Sequence, residues 1–183
     1  QILEEYFAAK EPEQEVPVVS EVIDINHTIE YEDLTIHKVN EHTRAYIKIQ
    51  DGCNQFCSYC IIPYTRGRIR SKNPEEVIEE VKNLAAQGYK EIVLTGIHLS
   101  SYGKDLGTVN LLDVIKRIQQ IEDVERIRLG SLEPRIITEE FVKELVKCDK
   151  VCPHFHLSLQ SGCDETLKRM NRKYTTEEYE EAL

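Results

Sequence analysis

Three cysteines stand within eight residues, in Asp51-Gly-Cys53-Asn-Gln-Phe-Cys57-Ser-Tyr-Cys60. Thiolates are soft ligands for zinc and iron, and three on one short loop can converge on a single metal centre. Three and then two intervening residues is not the spacing of a zinc ribbon, which needs a second pair. Nor is it that of a ferredoxin, which supplies four cysteines to each cubane cluster. A [4Fe-4S] cube held by three thiolates leaves one iron without a protein ligand. That open iron can bind a small molecule through an amine and a carboxylate, and pass it one electron. The alternative is a zinc ion on the same thiolates, completed by His98, His154, His156 or another cysteine. Cys148, Cys152 and Cys163 have no compact spacing with one another and are expected to be packing thiols.

The elements that must present such a loop form a rhythm. Apolar, β-prone runs at 45–49, 91–95, 126–129 and 154–159 alternate with stretches of helical periodicity, a βα repeat. Asn73 is placed to cap a helix with Pro74 at its first position and Glu76 at its third. Val77, Ile78, Val81, Leu84 and Ala85 line one face of that helix, and Gly88 closes it. Asn110 with Asp113 opens a second helix carrying Leu111, Leu112, Ile115 and Ile118, and Thr138 opens a third carrying Phe141, Val142, Leu145 and Val146. A helical turn at 164–170 and a capping box at Thr175 and Glu178 follow. Strands joined by such helices run parallel with right-handed crossovers, and ligands are expected at their carboxyl ends. The cysteine loop leaves the first strand at that end. Four units do not close a barrel, so the expected fold is α/β, a partial (β/α) barrel with a parallel sheet; an open sheet is the alternative.

The chain has 183 residues, 40% of them hydrophobic, enough for one ordinary core. Six cysteines are too few for a disulfide-stapled miniprotein. No apolar run reaches the roughly 20 residues of a membrane span, and the first ten residues carry two glutamates where a signal peptide has basic residues; a cytoplasmic protein is expected. The net charge of -10 is uneven: residues 1–42 hold 11 acids and 2 bases, and residues 43–183 hold 22 acids and 21 bases. The acidity therefore belongs to a leading segment, and the main body is nearly neutral. Residues 1–42 read as a linker with the tail of a preceding domain. Ile2, Leu3, Tyr6 and Phe7 stand at helical spacing, prolines follow, and one or two edge strands are expected between 29 and 39. Residues 43–183 read as a truncated core domain.

Cys53, Cys57, Tyr59 and Cys60, directly after a first strand, resemble the signature of the radical S-adenosylmethionine (SAM) superfamily. The flanking Gln50-Asp-Gly-Cys53, Ile61-Ile-Pro63, Arg66-Gly-Arg68-Ile-Arg-Ser-Lys72, Gln160-Ser-Gly162 and Lys168-Arg-Met-Asn-Arg-Lys-Tyr174 resemble its methylthiotransferases. Leu94-Thr-Gly-Ile-His-Leu-Ser-Ser-Tyr-Gly103 and His154-Phe-His-Leu-Ser-Leu-Gln160 most resemble the branch acting on N6-threonylcarbamoyladenosine at position 37 of tRNA.

The resemblance implies a TIM-like barrel of the radical SAM type and a [4Fe-4S] cluster on Cys53, Cys57 and Cys60. It implies S-adenosyl-L-methionine on the open iron, cleaved to a 5'-deoxyadenosyl radical, and addition of a methylthio group at C2 of the adenine. Tyr59 would then lie beside the adenine of the cofactor, Gly96 would meet its methionine amino group, and Ser131, Glu133, Ser158 and Gln160 would supply further polar contacts. The family also implies a second [4Fe-4S] cluster in an amino-terminal domain, a carboxyl-terminal RNA-binding domain, the tRNA anticodon loop as partner and an electron donor that the sequence does not name. With neither flanking domain in this stretch, it is not expected to complete the reaction by itself. Another modified adenine, or a ribosomal protein side chain, is the alternative target.

Arg66, Arg68, Arg70 and Lys72 alternate, so an extended segment projects all four from one face, where they can meet RNA phosphates beside Tyr64. The alternative is that they form a solvated rim or anchor the cysteine loop through salt bridges. Lys168, Arg169, Arg172 and Lys173 are expected on a barrel-edge helix face.

Overall fold

In a computed structural model that describes residues 23–32 and 43–183, the first apolar run becomes strand β1 (Arg44–Asp51), with Ala45, Ile47 and Ile49 wholly buried at every second position. After the cysteine loop come a single helical turn, α1 (Ile62–Thr65), and a two-residue strand, β2 (Arg70–Ser71). Helix α2 (Pro74–Ala86) leads to β3 (Glu91–Gly96), and α3 (Leu111–Gln119) leads to β4 (Arg126–Leu129). Short helices α4 (Glu139–Leu145), α5 (Asp164–Arg169) and α6 (Thr176–Glu181) complete the order. The sheet runs β2-β1-β3-β4: β1, β3 and β4 are parallel, and β2 pairs antiparallel at one edge. This is the expected partial barrel.

The caps form where residue types place them. Asn73 accepts from the Glu75 amide, Thr138 accepts from the Phe141 amide, and Asn110 with Asp113 and Thr175 with Glu178 form reciprocal capping boxes. Val77, Val81 and Leu84 of α2 and Val114, Ile115 and Ile118 of α3 pack with Ile47, Ile92, Leu94 and Ile127 in one core. Each such fully buried aliphatic side chain stabilises the fold by about 1.5–3 kcal/mol relative to exposure. Among the described residues no helix is long and apolar enough to cross a membrane.

Two expectations change. The run at 154–159 is not a regular strand: among the described residues it carries one isolated parallel bridge, Leu132 to Leu157, and another, Ile127 to Val151, comes just before it. β4 has only four residues, and Pro153 has no amide to donate, so a continuous ladder does not form. Ile29 and Tyr31 are in no strand either; the preceding Asp24 caps a 3-10 turn at Ile25–His27, and the Tyr31 hydroxyl donates to the Lys48 carbonyl at 2.5 Å. The rest of that expected edge, and the helical spacing at 2–7, lie outside the described residues.

The basic run also folds differently from a single extended face. Arg66 ends α1, and β2 is too short to align the rest. Arg66 donates to Asp51 at 3.1 and 2.5 Å, Lys48 reaches the same carboxylate at 3.0 Å, and the Gly52 amide donates to it at 2.7 Å. Buried Arg70 lies 3.8 Å away, paired with Asp51 across the β1–β2 register. Lys72, also buried, donates to Glu80 at 2.8 Å. Of the four bases only Arg68 is exposed, its guanidinium 4.7 Å from the Phe56 ring centre. The run mainly anchors the loop that carries the cysteines.

Burial tends to raise the Asp51 pKa, but the Arg66, Lys48 and Gly52 donors outweigh it and hold the carboxyl below its ordinary value. Asp51→Asn removes the charge that compensates buried Arg70. Urea unfolding is expected to show a loss of about 3 kcal/mol, the low end for a broken buried pair because Lys48 and Arg66 reach solvent. A loss below about 1 kcal/mol contradicts this account of the anchor.

Candidate active site

The loop begins at an irregularity in the sheet. Between Lys48 and Gln50 the β1–β3 register shifts, so that Gln50 pairs with Gly96. Such a bulge re-aims side chains at a strand end. Gln50 is wholly buried; its Nε2 donates to the Asp51 and Gly52 carbonyls at 2.6 and 2.7 Å, and its Oε1 accepts from the His98 amide at 2.7 Å. A Cβ on Gly96 would come within 2.9 Å of Gln50 Cβ and Oε1, so glycine is required for this approach. Gly52, at φ +67, lies under the returning chain, where a Cβ would meet the Arg68 carbonyl at 1.8 Å. Beyond it the Cys53 amide donates to the Gly67 carbonyl at 3.1 Å.

Cys53, Cys57 and Cys60 then line one cavity of about 190 Å³. Tyr59 stands at its rim. Ser131 and Glu133, after β4, and Ser158 and Gln160, after the bridged segment, close its other sides. Eight of the nine residues expected around metal and cofactor therefore meet. The ninth, Gly96, is not on the lining; it makes room for Gln50, while its neighbours Ile97 and His98 face the cavity. His154 and His156 are exposed and off this lining, which removes them as partners of the thiols. Among the described residues no three His, Cys, Asp or Glu side chains gather as a single metal ion requires. A cube differs in that each thiolate meets a different iron.

Arg172 is the residue that sequence reasoning put elsewhere. It is no solvated helix face: its Nη1 reaches to 3.3 Å from Cys57 Sγ, its guanidinium packs 5.0 Å from the Tyr174 ring centre, and it lines the cavity. The available signal was its motif, Lys168-Arg-Met-Asn-Arg-Lys-Tyr174, whose paired bases resemble a surface run. Of the cysteines expected to pack, Cys148 and Cys152 are buried as expected, but Cys163 is exposed at the start of α5.

The base of the cavity gathers the thiols and one buried carboxylate, Glu133. Burial pushes the Cys53 thiol pKa up, and nearby Cys57, Cys60 and Glu133 add to this against the Gln55 amide, which lies 3.5 Å from its sulfur. Glu133 is buried, its carboxylate gripped by Arg135 at 2.7 and 3.1 Å. His98 Nε2 lies 3.5 Å from it without hydrogen-bond geometry. Burial alone lifts the Glu133 pKa, but the His98 and Arg135 side chains outweigh it and bring it to about 2.

The superfamily profile for radical SAM proteins matches residues 47–183. The chain belongs to the radical SAM superfamily. It is similar to threonylcarbamoyladenosine tRNA methylthiotransferase MtaB of Bacillus subtilis (strain 168), 46% identical over 84% of this chain and 34% of that protein. The corresponding protein of Aquifex aeolicus (strain VF5) is 42% identical over 100% of this chain and 43% of its own length. The tRNA-2-methylthio-N(6)-dimethylallyladenosine synthase of Clostridium botulinum (strain Hall) is 45% identical over 81% and 33%. The chain thus spans well under half of these curated relatives. In fold it is similar to the radical SAM methyltransferase TsrM of Kitasatospora setae, with TM-score 0.59 and 22% identity over 75% of this chain and 27% of that one. The cobalamin-dependent radical SAM enzyme OxsB gives TM-score 0.61 and 15% identity over 76% and 21%.

Membership in the radical SAM superfamily implies a [4Fe-4S] cluster and S-adenosyl-L-methionine, and the residues fit both. The cysteines are three free thiols on one cavity, two of them buried, and two N–H groups point at their sulfurs, as second-shell donors do around iron-sulfur ligands. Two residues on the lining carry a buried nitrogen without a protein hydrogen bond, His98 Nε2, 3.5 Å from Glu133, and Arg172 Nε. The volume of about 190 Å³ is below the roughly 300–1,000 Å³ of pockets that enclose a whole ligand. Its rim at Tyr59, Ile97 and Gln160 is exposed.

Because the folded Glu133 pKa lies below its ordinary 4.5, its stabilising contribution is full above pH 4.5 and disappears as pH falls toward about 2. Glu133→Gln is expected to flatten the acid loss of stability in that window by about 2 kcal/mol, after screening through exposed Arg135 is allowed for. Denaturant midpoints of parent and variant from pH 6 to 2 check this; parallel curves refute it.

Proposed function

We propose that this chain is the radical core of a tRNA methylthiotransferase that adds a methylthio group at C2 of N6-threonylcarbamoyladenosine at position 37. The observation carrying the reading is the gathering of three thiols with Tyr59, Ser131, Glu133, Ser158 and Gln160 around one cavity at the carboxyl ends of parallel strands. The chain's similarity to two threonylcarbamoyladenosine tRNA methylthiotransferases supports this choice of substrate.

In this reading Cys53, Cys57 and Cys60 would hold a [4Fe-4S] cluster, and the cavity beside them would take S-adenosyl-L-methionine. Bound there, the pair supplies one-electron cleavage of a carbon-sulfur bond, and through it hydrogen abstraction from an unactivated carbon. The protein's part is to hold and shield. Ser131, Glu133, Ser158 and Gln160 offer hydrogen bonds to the polar cofactor, Tyr59 offers a flat face, and Ile62, Ile97 and Leu132 limit water. No side chain is needed as a general base in the key step. The methylated sulfur is assigned to a second [4Fe-4S] cluster in an amino-terminal domain beyond residues 43–183, with residues 1–42 as the linker to it. The anticodon loop of tRNA is the partner, which places the reaction in the cytoplasm. Exposed Arg68 and Tyr64 are the nearby groups suited to phosphate and base, whereas Arg70 and Lys72 are held inside by acids.

The near-equal identity to a dimethylallyladenosine synthase supports a second reading, in which the modified adenine carries a dimethylallyl group.

Anaerobic reconstitution of the protein with iron and sulfide is expected to give a brown product with about four irons per cube, and Cys57→Ala is expected to lose one cube. A colourless protein with one zinc sinks the reading. Mass analysis of tRNA nucleosides from cells with and without the gene is expected to show loss of the 2-methylthio form of N6-threonylcarbamoyladenosine. Loss of the dimethylallyl counterpart instead selects the second reading.

A further inference from the structure

The segment 169–172 folds over the cysteine loop from the far end of the chain. The Ser58 amide donates to the Met170 carbonyl at 3.0 Å, and its hydroxyl donates to the Arg169 carbonyl at 3.0 Å. Asn171 Nδ2 donates to the Phe56 carbonyl at 2.7 Å, and Arg172 Nη1 stands 3.3 Å from Cys57 Sγ. Phe56 at φ 50 and Asn171 at φ 56 both occupy the left-handed region, which asparagine adopts readily and the bulky Phe56 does not, so the contact holds a costly conformation at Phe56. Neighbouring Lys168, Arg169 and Lys173 are exposed, whereas Arg172 is half-buried against Tyr174 and has a buried Nε without a hydrogen-bond partner. Tyr174 in turn donates to the Ser158 and Leu159 carbonyls, both at 2.6 Å, so the cation is braced by the same wall that presents Ser158.

We propose that Arg172 is a positioning residue for the metal centre: its charge-assisted N–H···S bond to Cys57 holds that thiolate in register and raises the reduction potential of the cluster bound there. The proposal rests on the cluster reading above. Its physical basis is that a reduced cluster carries one more negative charge, which a cation and a donor at a ligand sulfur stabilise more than they stabilise the oxidised form. In a cavity that already holds three thiolates and the Glu133 carboxylate, this cation is the only one in contact with a ligand sulfur among the described residues. A neutral residue here leaves Cys57 with less compensation. A lysine keeps the charge without the planar fork that can hold sulfur and Tyr174 together.

The test compares parent, Arg172→Gln and Arg172→Lys forms of the full-length protein after anaerobic reconstitution with iron and sulfide. Three quantities are read: iron per chain, the midpoint potential by redox titration of the electron paramagnetic resonance signal, and the melting temperature of the metal-free protein. The relevant signal is the one that Cys57→Ala abolishes. Arg172→Gln is expected to weaken the one-electron reduction equilibrium about tenfold, a shift of 59 mV to more negative potential, with Arg172→Lys between it and the parent. Loss of this cluster in Arg172→Gln, with an unchanged metal-free melting temperature and with recovery in Arg172→Lys, also supports the proposal. An unchanged midpoint and iron content in Arg172→Gln overturns it, as does a loss of iron matched by a fall in the metal-free melting temperature. A parent protein that takes up no iron fails at the earlier step and overturns the cluster reading itself.

Discussion

One buried amide sets the position of everything at the open end of the sheet. Gln50 uses both ends of its side chain, tying the carbonyls at the start of the cysteine loop to the amide that follows β3. An unpaired amide buried this deeply costs several kcal/mol, so the three contacts fix one another. The bulge before Gln50 and the bare Cα of Gly96 are the backbone adjustments that admit it. This link ties the loop after β1 to the loop after β3, so that His98 lines the same cavity as the thiols. A parallel sheet by itself supplies only the general place, the carboxyl ends of its strands.

Charge inside the fold does a second part of this positioning. Asp51 draws in Lys48, Arg66 and Arg70 beneath the loop, and Glu80 draws in Lys72 from α2. These bases look like an RNA stripe in sequence because alternation is counted along the chain, whereas the acids that receive them come from β1 and α2. The acids were visible as residue types, but their proximity is a property of the packed sheet. The same reasoning applies to Arg172, 115 positions from Cys57, which no local pattern can pair with it.

The framework was legible to the extent that it is local. Apolar alternation in Ala45, Ile47 and Ile49, the caps at Asn73, Asn110, Thr138 and Thr175, and the helical stripe of Val77, Val81 and Leu84 each arise within a few residues, and each reappears in the fold. The thiols were legible for the same reason, being held within one loop. What failed depended on a partner strand or on distant side chains. The segment 154–159 has strand-like residues, but a short neighbour and Pro153 limit it to bridges. The close packing of Gly96 against Gln50 also joins adjacent strands, a contact that sequence spacing does not indicate.

Size does not locate the chemistry in this molecule. Among the described residues a concavity of about 840 Å³ is an apolar groove lined by Phe141, Val146, Phe155, Leu157 and Leu183, whereas the thiols line one of about 190 Å³. An apolar groove gains free energy from being covered by other apolar surface and offers a charged cofactor little. The small cavity has the opposite economy. Its thiols and Glu133 repel one another, and burial opposes ionisation of Cys53. A cationic metal cluster reverses those terms, because coordinated thiols lose their protons and the iron offsets their charge. In the proposed function the thiols become ligands of such a cluster, which supplies the positive charge that favours their ionised form in a buried place.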